Sequence, residues 1–429
     1  MRPPGGGGGS GYPVPMAGRE RNRVVVVIVA VLVVAIAVYG PIALLAPLPS
    51  TSGEVAAPAG VASSTPPPAL PPAGSSGVTL GTSESPIAGG SAEAVPIAAI
   101  AKVVAALVVL DARPLDAGRA GPAIPVTADD FASYAKYSAA GTRAIRVVTG
   151  DTSTEREALQ AVLIASSNNH AEMLARWAFG SIDNYLTAAQ DWLEANGLAS
   201  IHVVDATGLS EESVGSGADL AQIAALAMAD PLIAETVTAD QIVTTRGITF
   251  ENTISYSASS GVTGISRSYT DEAGVCLLFA LTVTVGDQAV PVYGAIVGEP
   301  SYDALDADFA ALSGSLPASV SEHVIVADGA VAGTYTTAWG QTANAVTREA
   351  ITAIGFSAEA TPAFDVTLRP IVTAAKDTKV GTLTVTGGEG EQPVTLVLDQ
   401  AVRDPGPIWR LFSPGVVVPA FFGSITGSG

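Results

Sequence analysis

The sequence predicts an α+β fold: an antiparallel sheet flanked by helices, followed by a small all-β domain and preceded by one transmembrane helix. Three observations predict it. Residues 24–46 form an unbroken apolar run without a charge. Residues 78–315 mix helical periodicity with long β-rich runs. Residues 320–411 carry only short β-branched runs separated by turn residues. Helices and strands segregated in this way belong to α+β architectures, and evenly spaced short strands to all-β ones.

The elements follow in chain order. Residues 1–23 are a Gly/Pro-rich cytoplasmic tail, expected to be disordered. Residues 24–46 meet the roughly 20 apolar residues that a membrane-crossing helix needs. Arg19, Arg21 and Arg23 precede them, which orients the N-terminus to the cytoplasm and the rest of the chain outward. The run is longer than the usual apolar segment of a cleaved signal peptide and lacks a small-residue cleavage site directly after it, so it reads as an anchor. Gly40 and Pro41 weaken its last turns. Residues 47–77 are rich in Pro, Ser, Ala and Gly and read as a semi-extended spacer between membrane and folded domain.

Within 78–315, Pro96–Asp111 is an apolar helix interrupted by Lys102. Thr154 and Glu157 make a capping box that opens a helix. Further helices are expected over His170–Phe179, over Ile182–Asn196 with Gly197 as its stop, over Leu220–Met228 behind the Ser216/Asp219 pair, and over Tyr302–Leu312. Gly274–Gly286 and the run after Gln288 are strands joined by a Gly286–Asp287 hairpin turn. Residues 320–411 supply the β domain, and 412–429 are a tail.

Composition excludes several functions. The chain has 429 residues, 20 basic and 40 acidic ones, and a formal net charge of −20; such a chain repels nucleic acid. One cysteine, Cys276, rules out an intrachain disulfide framework and a cysteine zinc site. His170, His202 and His323 are too scattered for a His-rich metal motif. No metal and no organic cofactor is expected.

Three places invite chemistry. Lys102 is one of only four lysines and sits among Ala98, Ala99, Val103, Ala105 and Ala106. A buried lysine tends to a lowered pKa, which suits a general base, whereas a lysine at a helix edge simply extends its amine to water. Ser166-Ser167-Asn168-Asn169 lies between two predicted helices, where small polar residues either cap helices or line a cleft. The stretch Gly261–Gly274 leads from a glycine-containing loop into a strand; alone it reads as an ordinary hairpin arm.

Together these places resemble, in order and surroundings, the membrane-associated D-alanyl-D-alanine carboxypeptidases. These are low-molecular-mass penicillin-binding proteins of the serine β-lactamase-like class, with Ser-x-x-Lys, Ser-x-Asn and Lys-Thr-Gly motifs. PIAAIAKVVAALVVLDARPL resembles the first active-site helix, LIASSNNHAEMLA the second motif, and GVTGISRSYTDEAGVCLLFAL the third-motif strand and its return. DATGLSEESVGSGADLAQIA resembles the connection between the second and third. The resemblance covers about residues 75–315 and implies a serine β-lactamase/penicillin-binding-like domain, with Lys102, Ser166 and residues 265–268 along one cleft. It also implies a role on peptidoglycan stem peptides, in which a serine attacks the D-Ala-D-Ala carbonyl, releases D-Ala and passes the acyl group to water.

The departures are as specific as the match. The nucleophile's place is Ala99, which has no hydroxyl to form an acyl-enzyme. The Lys-Thr-Gly positions fall on Ser266, Arg267 and Ser268. Arg267 is one residue out of register with the missing lysine, so on a regular strand it points to the other face. Lys102, Ser166 and Asn168 retain the family's residue types. The resulting expectation is a cell-envelope pseudoenzyme that has kept the groove. An active serine-type carboxypeptidase using Ser166, and a purely structural envelope protein, are the alternatives.

Overall fold

A computed structural model of the chain describes residues 17–59, 65–81, 85–244, 247–256, 261–356, 363–387 and 390–426. Residues 1–16, most of the tail expected to be disordered, lie outside the described residues.

Helix α1 (Ala17–Leu45) contains the apolar run and continues through Pro41. The span Arg23–Leu45 is long and apolar enough to cross a membrane.

The carboxypeptidase-like region is built on a five-stranded antiparallel sheet. Its strand order is Val262–Thr270, Gly274–Val285, Gln288–Glu299, Ser75–Thr79 and Ile87–Gly90. Each of the two faces is covered. On one lie α2 (Ile100–Ala112) and α7 (Gly217–Ala229), within a large core that also takes in α4 (Glu155–Leu163), α5 (Asn168–Phe179) and α6 (Ile182–Ala195). On the other lies α9 (Tyr302–Ser319). Helices α3 (Ala128–Ala139) and α8 (Pro231–Thr238) complete the helical layer.

Local chemistry explains the boundaries. Thr154 and Glu157 form a reciprocal capping box at the start of α4, and Thr127 and Asp130 form another at α3. Ser216 caps α7 through Asp219 N. Helix α6 is followed by Gly197 at positive φ. Helix α2 begins at Ile100 rather than Pro96, because Val95–Pro96 is already committed to a short strand paired with Val214–Gly215. Helix α9 runs seven residues past the expected Leu312. Leu305, Phe309, Leu312 and Leu316 continue one buried face, with Phe309 edge-on to Phe279, so burial carries the helix past Gly314.

The second domain is a six-stranded antiparallel sheet. Its order is Gly53–Val55, Val331–Thr336, Thr342–Thr347, Gly390–Leu398, Lys379–Gly387 and Ala363–Leu368. Ser321–Val326 and Ile351–Gly355 form a separate pair. Tyr335, Leu383 and Leu396 are fully buried in its core.

Two segments differ from the sequence expectation. The described parts of the Pro-rich stretch, 47–59 and 65–77, are laid onto both domains rather than running free. Gly53–Val55 pairs with the edge strand Val331–Thr336, and Thr51 bridges to Ile371. Ala69 N donates to Ser315 Oγ at 2.8 Å, and residues 75–77 already belong to the main sheet. Extended backbone has unpaired N–H and C=O groups, and an open sheet edge satisfies them. The 412–429 tail holds the whole of helix α11 (Pro414–Thr426), which follows α10 (Gly406–Phe412) and packs against the end of α1. The uncharged apolar sequence after Arg410 makes burial against an apolar partner favourable.

Candidate active site

Helix α2 is the element shared by the motif segments: it packs against α5, which opens with Asn168, and against the strand that carries Ser266–Ser268. The second and third segments are also tied together directly. Thr253 donates from N (3.0 Å) and Oγ1 (2.8 Å) to Ile164 O, just before Ser166. The next residue, Ile254, lies against Gly264 of the third-motif strand; a Cβ there would come within 2.1 Å of Ile254 O. Only glycine permits that approach.

Lys102 is buried in the core layer. Its Nζ donates to Thr207 O at 2.7 Å, the one hydrogen bond it makes among the described residues. Burial pushes its pKa down to about 7; Asp205 opposes the shift and Arg143 adds to it. At neutral pH a large share of the amine is unprotonated and able to accept a proton. There is no hydroxyl for it to act on at the start of α2. Ala99 occupies the N-cap and offers no side-chain cap.

Loop 205–210 closes against that helix start. Asp205 folds the loop by accepting from Thr207 N (2.5 Å), Thr207 Oγ1 (2.8 Å), Gly208 N (2.5 Å) and Ser210 N (3.0 Å). Gly208, at φ +71°, is so close to Ala98 that a Cβ would lie 1.7 Å from Ala98 O. This loop positions the carbonyl that holds Lys102; the sequence reading placed it in the connection between the second and third segments and gave it no role in the site. An Asp two residues before Thr-Gly is the usual signal of a side-chain-closed turn and marks it.

Ser166 is buried and has φ +54°. Together with Ala98 (φ +45°) it makes two of the three non-glycine residues with positive φ among the described residues. Such backbone costs on the order of 1–3 kcal/mol and concentrates at functional sites. No hydrogen bond joins Ser166 to Lys102 among the described residues; the amine is committed to Thr207 O. Ser167 and Asn169 are structural: Ser167 Oγ lies 2.8 Å from His170 Nδ1, and Asn169 bridges to both N and O of Ile145. His170 is held neutral by burial, its pKa lowered to about 4. Asn168 N donates to Arg143 O at 2.9 Å, whereas its Oδ1 is buried with no partner among the described residues.

On the third-motif strand, Ser266, Arg267 and Ser268 pair regularly with Leu278, Leu277 and Cys276; an irregularity at Ile265 lies just before them. Leu278 and Cys276 belong to the helical core around α2, Leu277 to the core under α9. Ser266 and Ser268 therefore face the helical core around α2, and Arg267 faces away. Its guanidinium sits 5.4 Å over the Tyr302 ring and donates to Ser255 O. Ser268 Oγ is buried without a partner among the described residues. That face of the strand thus carries two hydroxyls where the family pattern has a cation and a glycine.

Comparison with known proteins agrees with this geometry. Residues 87–295 match the family described as D-alanyl-D-alanine carboxypeptidase. A D-alanyl-D-alanine endopeptidase of Pseudomonas aeruginosa is 26% identical over 197 residues, which is 44% of this chain and 60% of that relative. The chain thus spans about three fifths of that relative's length. Among solved structures, penicillin-binding protein 6B of Escherichia coli aligns with a TM-score of 0.57 at 18% identity, over 80% of this chain and all of its own. A peptidoglycan synthesis regulatory factor of Streptococcus pneumoniae gives 0.56 at 18% identity, covering 77% of this chain and 99% of that one. Penicillin-binding protein 5 of Haemophilus influenzae gives 0.55 at 13%, covering 79% and 99%. At these identities the structures establish the fold, and the sequence similarity to the D-alanyl-D-alanine carboxypeptidase family is confined to residues 87–295, just under half of the chain.

Proposed function

We propose that this protein is a membrane-anchored, extracytoplasmic member of the family that has lost acyl-transfer chemistry and uses its cleft to bind peptidoglycan stem peptides. The observation that carries the reading is Ala99 at the N-cap of α2, three residues before the buried, readily deprotonated Lys102. The base is present and the nucleophile is not. Two further features support binding. Asn168 Oδ1 and Ser268 Oγ are buried acceptors without partners among the described residues; leaving such a group unmet costs about 1–3 kcal/mol, which a peptide ligand would relieve. The third-motif strand is also the edge of its sheet, open to an added extended peptide. Anchoring rests on the Arg23–Leu45 span and the arginines that precede it.

Labelling with a fluorescent penicillin tests the loss of chemistry. Removing a member of a nucleophile–base unit costs on the order of a million-fold in rate, so the unmodified protein is expected to stay unlabelled. Ala99→Ser alone should recover little, because the cation for the substrate carboxylate is still missing. The combination of Ala99→Ser, Ser266→Lys, Arg267→Thr and Ser268→Gly should recover labelling. Stoichiometric acylation of the unmodified protein would overturn the reading and favour an active enzyme that uses Ser166. Calorimetric titration with purified muropeptides tests the binding role. Absence of binding, together with a quadruple variant that stays unlabelled, would leave a structural envelope role.

A further inference from the structure

Thr142, Arg143 and Ile145 belong to no helix or strand, yet the backbone of each is fixed. Thr142 N and Oγ1 donate to Tyr137 O, near the end of α3, at 3.0 Å and 3.2 Å. Arg143 O accepts from Asn168 N at 2.9 Å. Ile145 N donates to Asn169 Oδ1 and Ile145 O accepts from Asn169 Nδ2, both at 3.0 Å. The segment is thereby tied to the buried stretch 166–170 that carries the second motif. The Arg143 side chain, in contrast, is exposed, and it has no ion pair or side-chain hydrogen bond among the described residues. Arg113, Arg156 and Arg176 of the same helical layer are each engaged, over the Trp177 ring, with Glu235, and with Asp130 and Glu172.

The surroundings of this fixed cation are positive. Arg143 is close enough to Lys102 to add to the lowering of its pKa. Helix α5 starts at the residue bonded to Arg143, and Ser167 at its N-cap makes no side-chain cap, so the helix's own partial positive charge is not met there by a capping oxygen. Asp205, the acid that opposes the shift at Lys102, already accepts from Thr207 N, Gly208 N and Ser210 N. Two like charges held near one another cost free energy, and a bound anion lowers that cost. Arg267 does not serve the same place, because its guanidinium is turned over the Tyr302 ring. In a chain with a net charge of −20, attraction of an anion has to be local, and Arg143 is where the structure leaves a free guanidinium beside the motif residues.

We propose that Arg143 receives the terminal carboxylate of a bound peptide and so supplies the charge recognition that Ser266, at the lysine position of the third motif, cannot. The inference rests on the reading of this protein as a peptide-binding member of the family without acyl transfer. A guanidinium offers a carboxylate two parallel N–H donors in a fixed fork. The neighbouring Asn168 Oδ1, buried without a partner among the described residues, takes an amide N–H of the same ligand. The ligand class is therefore a peptide with a free C-terminal carboxylate; an amidated peptide keeps the N–H groups and lacks the charge that Arg143 reads.

Calorimetric titration of the detergent-solubilised full chain with diacetyl-Lys-D-Ala-D-Ala and with its C-terminal amide tests it. The two probes differ by a single charge. The parent is expected to bind the free acid at least about tenfold more tightly than the amide. That preference should shrink several-fold between about 50 mM and about 500 mM salt, because the cation is exposed. Arg143→Gln should bind both probes alike, with the melting temperature of the parent, and Arg143→Lys should keep part of the preference, since it retains the charge without the fork. Equal binding of both probes by the parent overturns the proposal and leaves peptide binding standing. A preference for the acid that survives in Arg143→Gln also overturns it. Binding of purified muropeptides but of neither short peptide overturns it as well, because the terminal carboxylate is then not the anchor. Binding of neither short peptide nor muropeptides removes the peptide-binding reading and the proposal together.

Discussion

Position 99 carries a methyl group where Lys102 would need an oxygen to deprotonate. The lysine is left as a buried amine held by one carbonyl, and its depressed pKa has a measurable consequence. The unfolded amine titrates near 10.5 and the folded one near 7. Between these values the unfolded state binds more protons, so stability rises with pH across that window. The destabilisation is fully present below about pH 7 and gone above about pH 10.5. Replacing Lys102 with Met removes the titration but orphans Thr207 O. The stability difference between the two proteins is therefore expected to shift towards the parent by on the order of a few kcal/mol from pH 7 to pH 9.5. Urea unfolding at both pH values measures it, and parallel pH profiles for the two proteins would refute it.

Among the helices, α3 and α5 are tied together by charged side chains. Arg176 of α5 bonds Asp130 of α3 at 2.9 Å and Glu172 at 3.1 Å, and Glu172 accepts from Ser133 and Tyr137 of α3. Asp130 is buried and also belongs to the capping box of α3. Arg176→Met would strand two largely buried carboxylates, so a loss of about 3 kcal/mol is expected in urea unfolding. The double variant Arg176→Met/Glu172→Met should regain part of that loss, because one stranded charge is gone. Without that recovery the cost lies in packing. The capping box of α4 is legible in the sequence because all its partners lie within four residues. Helix α3 was not legible: Asp130 and Ser133 are buried polar residues on the face that should have been apolar, and they are buried only because Arg176 and Glu172 come from another helix.

At the scale of the whole molecule, the chain between α1 and the carboxypeptidase-like region is stitched to the β domain. Gly53 makes this possible: a Cβ there would lie 2.6 Å from Leu368 Cδ1 and 3.0 Å from Tyr335 Cζ. Gly53→Val is expected to release the Gly53–Val55 strand from the sheet edge. Limited proteolysis should then cut between residues 47 and 59 several-fold faster than in the parent. The carboxypeptidase-like domain, which does not use this strand, should keep its melting temperature. Unchanged cleavage would mean that the edge strand is held by more than this close approach.

The features readable in the sequence are those set by nearby residues or by residue type alone. The membrane-length apolar run, the caps at Thr154 and Ser216, the Gly286–Asp287 turn, the order of the motif segments and the missing hydroxyl at Ala99 are all of this kind. Regular strand alternation was enough to turn Arg267 away from the face that carries Ser266 and Ser268. The fold alone shows that Lys102 meets Thr207 O, that Thr253 meets Ile164 O, that Gly208 lies against Ala98 O, and that Arg410 meets Ala46 O. In each case the atom met is a backbone carbonyl oxygen from a distant segment. Every residue has the same carbonyl, so side-chain identity does not mark which one will be used. That choice is made when packing of the apolar faces brings distant backbone together.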